Sequence, residues 1–392
     1  MTMLINPLVT ERRRIMRAAD RLIACCCLLL LAACEPSQQD QSEASAERLG
    51  EEAVVYVYNW SDYIDEQLLD QFERETGIEV IYDVFDSNAL LEAKLLTGGS
   101  GYDVVTPSAV FLSRQIAAGA FQPLRREWLP NWDQQWQEVM TRTAAYDPGN
   151  RHAINYMWGT TGIGHNAVAV TQRLPQAPVD SWALVFDPAN TAVLADCGIH
   201  FVDAPDELIP AALAYLGIDP NSHDYDALQQ AEQLLLRVRP YIRKFHSSSY
   251  INDLANGDIC VAVGWSGDIL QAAQRAREAA NGVDIIYRIP REGARMWFDM
   301  MAIPVDAPHP RNAHRFLDFL LRGEVIAAAS NKVYFANGNL AAQRWLNEDV
   351  FGDPAIYPPP AVMQRLFTIT PYPADVQRQV TRLWINIKTT SP

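Results

Sequence analysis

The chain has 392 residues, 49% of them hydrophobic and 10% aromatic, with 32 basic against 47 acidic side chains and a net charge of −15. So acidic a surface repels nucleic acid and anionic membranes and attracts cations only weakly, which argues against nucleic acid as a partner. The length exceeds one ordinary hydrophobic core, so two domains are expected.

Arg12, Arg13, Arg14, Arg17 and Arg21 precede an almost purely apolar run at 22–33. That is a positive n-region followed by an h-region too short to be a stable membrane span. Leu31-Ala32-Ala33-Cys34 resembles the lipobox of bacterial lipoproteins. Residues 1–34 are therefore expected to be a lipoprotein-type signal peptide, with Cys34 as the lipidated residue and a lipid anchor in the periplasm. Ordinary cleavage near Ala33 would give a soluble protein instead, and either route exports the chain. Residues 35–52, EPSQQDQSEASAERLGEE, are polar and read as a flexible tether.

The segment 54–58 is a mostly apolar run suited to a strand covered on both faces. Asn59 and Ser61 are turn and N-cap residues, and a helix is expected over 63–76 with Gly77 as its C-cap. A strand at 79–84, a helix at 89–96 ending in Gly98-Gly99-Ser100-Gly101, a strand at 103–106 and a helix at 108–118 follow. This βαβαβα opening predicts an α/β fold whose sheet carries helices on both faces. A connector with Trp128, Trp132 and Trp136 leads to apolar stretches at 154–158 and 160–164. The pattern then resumes with strands at 199–202 and 259–265 and helices at 207–216, 225–238, 249–256 and 268–280. A further strand enters near Trp297, and 316–321 belongs to a later helix. Two α/β lobes with chain crossings between them are the natural expectation.

Cys25, Cys26 and Cys27 leave with the signal, so Cys197 and Cys260 are the remaining pair of thiols in an oxidising compartment. A disulfide between them would close a loop long enough to stabilise the fold by on the order of 4 kcal/mol; two separately buried thiols are the alternative. No CxxC or Cys/His cluster occurs and the histidines are scattered singly, so neither structural zinc nor another cofactor is expected.

Four places share one chemical character. Trp60-Ser61-Asp62-Tyr63 follows the first strand and offers an aromatic face, a hydroxyl, a carboxylate and a phenol, a set that suits an organic cation. Ligands of open α/β folds bind at such strand ends. Trp265 ends another strand, and Gly264 and Gly267 bracket a turn before Asp268, which could equally cap a helix. Asp299 is embedded among Trp297, Phe298, Met300 and Met301. An unpaired buried carboxylate is costly, so Asp299 is exposed, paired or waiting for a cation, and the last is favoured. Asp203, Asp206 and Glu207 follow a strand and start a helix, where the helix dipole alone would accommodate them.

Longer motifs carry a resemblance. VYNWSDYI, ETGIEVIYDVFDSN, YDVVTPSAVFLSRQ, MWGTTGIGHN, FHSSSYINDLANGDICVAVGWSGD and IYPP resemble the periplasmic polyamine-binding proteins of ABC importers, most of all the putrescine-binding branch. The resemblance runs from Val54 nearly to the C-terminus. It implies a type II periplasmic-binding fold, two α/β lobes closing on ligand about a hinge crossed more than once. It also implies a monomer that captures putrescine or spermidine and hands it to ABC permease subunits. Lobe 1 would comprise 53–158 and 296–334, and lobe 2 would comprise 159–295 and 335–392.

By matching motif, the resemblance places Trp60 and Trp265 along the ligand's methylene chain and ammonium groups. Ser61, Tyr63 and Ser108 would offer oxygen acceptors, and Asp62, Glu207, Asp268 and Asp299 anionic ones. Two positions depart from the branch. Trp297-Phe298-Asp299 stands where Phe-Phe-Asp is usual, a feature of spermidine-preferring relatives. Tyr334-Phe335-Ala336-Asn337 stands where Phe-Tyr-Ala-Asn is usual, so a site hydroxyl is lost at Phe335 unless Tyr334 replaces it. Val110 also replaces a small polar residue. Spermidine is therefore expected to bind at least as well as putrescine. Two alternatives stand beside this reading: a polyamine-sensing protein that reports to a membrane receptor, and an enzyme using Asp268 and Asp299 as an acid/base pair. No nucleophile–base motif supports the enzyme, so none is expected.

Overall fold

The computed structural model describes residues 51–390. The expected signal peptide, Cys34 and nearly all of the tether lie outside the described residues. Among the described residues no helix is long and apolar enough to cross a membrane.

The first sheet is built on β1 (Val54–Trp60), β2 (Glu79–Phe85) and β3 (Val104–Val105), with β1 parallel to both neighbours. Period-two alternation sends Val55 and Val57 to one hydrophobic cluster and Tyr58 to another on the opposite face. The helix after β1 is Glu66–Thr76, capped at its start by Asp65 and at its end by Gly77 in the left-handed region. Ser61 is not the cap that was expected. The chain makes an extra turn first, with Asp62 at φ 53°.

One strand carries the architecture. The stretches 154–158 and 160–164 are a single buried strand, β4 (Ala153–Asn166). The second sheet contains β5 (Ile199–Phe201), β6 (Lys244–Phe245), β7 (Val261–Trp265) and β8 (Ile285–Arg288); β9 (Ala294–Ala302) closes the first. From Ala153 to Thr160, β4 pairs antiparallel with β9. From Thr161 to Asn166 it pairs with β7 and β8 instead. The chain thus changes sheets between Thr160 and Thr161, two residues past the expected crossing. In the second sheet, Val261 and Val263 join one cluster and Ala262 another, so this sheet is also covered on both faces. These are the two α/β lobes of a type II periplasmic-binding fold.

The later boundary expected at 335 does not coincide with a change of packing partner. In β10 (Ala336–Asn337), the two residues pair with Trp158 and Met157, while Phe335, Val350 and Ile356 join clusters of the first lobe. The helix Ala374–Thr389 then packs Val380, Trp384 and Ile387 into the second-lobe core. In the second lobe, Cys197 and Cys260 are joined with their Cα atoms 5.5 Å apart, next to the paired strands β5 and β7.

Candidate ligand-binding site

The carboxyl ends of β1, β3, β5 and β7 open on one cleft of about 1030 Å³ between the lobes. Trp60, Ser61, Tyr63, Ser108, Glu207, Trp265, Asp268, Trp297, Asp299 and Phe335 all line it. Asp62 does not. Its carboxylate is turned away and pairs with Arg275 of the helix Ser266–Ala279 at 2.7 Å, an exposed contact that joins the turn after β1 to the second lobe.

The two tryptophans come from opposite lobes. Trp60 is fixed by an indole N–H donated to the Thr106 carbonyl at 2.9 Å, and its ring meets Trp265 edge to face at 5.8 Å. Trp297 stands on β9, and its ring lies where a side chain on Gly159 would be, with a Cβ there only 2.7 Å from it. Phe335 packs edge to face on Tyr63 and Trp297, each at 5.2 Å, and covers Gly267, where a Cβ would meet its ring at 2.5 Å. Only glycine admits rings this close to the backbone. Phe335 brings no hydroxyl, and Tyr334 does not line the cleft in its place. The Trp297 Nε1 is buried with no hydrogen-bond partner among the described residues.

Two carboxylates face these rings. Asp299 accepts from the Tyr63 hydroxyl at 2.8 Å and from Ser108 Oγ at 2.7 Å. Ser108 sits at the N-cap of Ala109–Ala117, but its side chain serves Asp299 instead of the cap. Asp268 is in the first turn of its helix and makes no cap bond either. It accepts from the Tyr250 hydroxyl at 2.6 Å, and the same oxygen of Tyr250 takes the backbone N–H of Trp265. Burial pushes the Asp268 carboxyl up to about 7, with Asp62 adding to the shift and Tyr250 opposing it. Burial likewise pushes Asp299 up to about 6 against the hydrogen bonds from Ser108 and Tyr63. Among the described residues these two buried carboxylates accept only from neutral hydroxyls and form no salt bridge, Arg275 and Arg295 acting on them from a distance, and burying charge in that state is costly.

Glu207 lines the cleft on other terms. Arg295 Nη1 is 2.6 Å from one of its oxygens, and the Thr161 hydroxyl donates to the other at 2.6 Å. Arg295 is buried and also holds Asp206 at 2.8 Å. Burial raises Glu207, and Arg295 pulls it down. Arg295, Tyr250, Arg275 and Thr161 were not foreseen. Each is a partner of a site residue; Tyr250 and Thr161 lie inside the motifs quoted above, but the contact that brings each to the site forms only in the fold.

The arrangement suits an organic cation: aromatic faces attract it, and buried carboxylates with spare lone pairs accept its N–H groups. Residues 67–357 match the family model of the bacterial extracellular solute-binding proteins. The chain belongs to this family. It is 51% identical over 348 residues to the putrescine-binding periplasmic protein SpuD of Pseudomonas aeruginosa, covering 88% of this chain and 95% of that one. It is 49% identical over 340 residues to the putrescine-binding periplasmic protein PotF of Escherichia coli, covering 86% and 92%. Among solved structures, the Tp0655 (TpPotD) lipoprotein of Treponema pallidum superposes with a TM-score of 0.72 at 26% identity, over 86% of this chain and all of that one. The chain is accordingly a solute-binding protein and not an enzyme.

Proposed function

We propose that this protein captures polyamines, putrescine or spermidine, in the periplasm and delivers them to the permease of an ABC importer. The carrying observation is the pair of buried carboxylates, Asp268 and Asp299, that have hydroxyl partners but no cation. Trp60, Trp265 and Trp297 flank the methylene chain, Ser61, Tyr63 and Ser108 complete the oxygen set, and Phe335 backs the wall. Putrescine binding by SpuD and PotF, at half identity over nearly their full length, supports the same reading. Closure of the two lobes on ligand presents the form that the permease recognises. The protein works as a monomer anchored through lipid on Cys34. The Treponema pallidum relative is a lipoprotein, which is consistent with that anchor.

The test is titration calorimetry on residues 35–392, unfolded and refolded to remove bound ligand, against putrescine, cadaverine, spermidine and spermine. Micromolar or tighter binding of at least one is expected. A correctly folded protein that binds none of them would overturn the reading. Mass spectrometry of the protein from membranes checks the lipid on Cys34.

A further inference from the structure

We infer that Arg295 is a specificity residue: it fills the cleft's third ammonium position with a cation of the chain's own, so that the cleft prefers a diamine to a triamine. The inference rests on the polyamine reading above and concerns which polyamine is chosen.

The carboxylates that line the cleft differ in their partners. Glu92 is paired with Arg114 at 2.6 Å, and Asp203 with Lys388 at 2.8 Å. Glu207 and Asp206 are paired with Arg295 at 2.6 and 2.8 Å. Asp268 and Asp299 are buried and have no such partner among the described residues. Asp86 accepts from Ser61 at the exposed mouth, where a carboxylate gains little from an ammonium in water. Two buried acceptor sites therefore await cations, which matches the two ends of a diamine.

The geometry around Arg295 supports this. Its Nη1 alone faces three oxygens: the Asp206 carbonyl at 2.8 Å, the Asp206 carboxylate at 2.8 Å and the Glu207 carboxylate at 2.6 Å. A guanidinium nitrogen carries two hydrogens, whereas a primary ammonium carries three and seeks about three oxygens. The cluster is thus built for a compact cation, and both acidic residues line the cleft from which a ligand would reach them. Arg295 comes to them from β9 on the other side and is itself almost fully buried.

Size does not make this choice. A cleft of about 1030 Å³ is at the upper end for sites that enclose whole drug-sized ligands, so a longer chain would fit. A third ammonium inside would find Glu207 and Asp206 occupied and would meet the positive charge of Arg295, the repulsive element that specificity requires. The spermidine leaning read from Trp297 rested on its likeness to spermidine-preferring relatives, and charge placement points the other way.

The test measures putrescine and spermidine affinities by calorimetry for the stripped wild type, Arg295→Met, Arg295→Gln and Arg295→Lys, with thermal melts confirming folding. Wild type should bind putrescine more tightly. Both neutral variants should shift the putrescine-to-spermidine ratio toward spermidine by about tenfold or more, the scale of a close charge contact. Arg295→Lys should keep the wild-type order. If Arg295→Met does not fold, Arg295→Gln, which can still donate to Glu207, carries the same comparison. A wild type that prefers spermidine, or a ratio unmoved in a folded neutral variant, overturns the role of Arg295 and leaves polyamine binding intact. Wild-type protein that binds neither ligand overturns the polyamine reading itself.

Discussion

The Tyr63 hydroxyl donates to Asp299 at 2.8 Å across 236 residues of sequence, tying the turn after the first strand to the strand that closes its sheet. The carboxylate this bond orients is one of two buried ones in the cleft that form no salt bridge among the described residues. In the proposed reading, function and cost reside in the same atoms.

Asp268→Asn and Asp299→Asn should each weaken polyamine binding at pH 8 by about 2–5 kcal/mol, since one half of a buried charge pair is removed. The same changes should leave the ligand-free protein as stable or more stable, because a desolvated charge is gone. Calorimetry and thermal melts read the two effects separately. A loss of stability equal to the loss of binding would count against the functional role.

Affinity should fall on acidification. A cationic ligand needs Asp268 and Asp299 ionised, and burial places them at about 7 and about 6. Binding at pH 6 should be about twentyfold weaker than at pH 8, with protons released on binding near pH 6. The stability of the ligand-free protein runs the opposite way for these groups. Their folded-state values lie above the ordinary 3.8, so the folded protein holds extra protons between roughly pH 4 and 7. This contribution is fully present at the acid end and is lost as pH rises through that window. Titrations in buffers of different ionisation enthalpy check the proton count.

Asp62→Ala should be mild. Its pair with Arg275 is exposed, and such pairs contribute about 0.2–1 kcal/mol, so affinity should weaken no more than about fivefold. Because the contact links the turn after β1 to the second lobe, the change should appear mainly as faster ligand release in stopped-flow chase. A hundredfold loss of affinity would return Asp62 to the ligand's own acceptors.

Gly267→Ala places a Cβ 2.5 Å from the Phe335 ring, and the ring is boxed in by Tyr63 and Trp297. Overpacking of this kind costs about 1–3 kcal/mol, and polyamine affinity should drop with the displaced wall. Denaturant unfolding together with calorimetry checks both. Unchanged stability would mean that the ring has room to move.

Local pattern determined much of this protein. The alternation that splits Val57 from Tyr58, the glycine cap at Gly77, the strand-end tryptophans and the embedded Asp299 are all visible within a few residues of chain. So were the long motifs that place the chain in its family. These features depend on period-two or period-3.6 spacing and on turn chemistry, which are properties of adjacent residues. The tertiary structure decided what each acid meets. Asp62 and Asp299 both read as cation acceptors, yet Arg275, 213 residues away, takes the first, while two hydroxyls leave the second free for a cation. Glu207 read as a ligand for an ammonium until Arg295, 88 residues away, arrived at its oxygens. A carboxylate's role is set by which donors surround it in space. No spacing rule encodes a partner that only the closing of a sheet brings near.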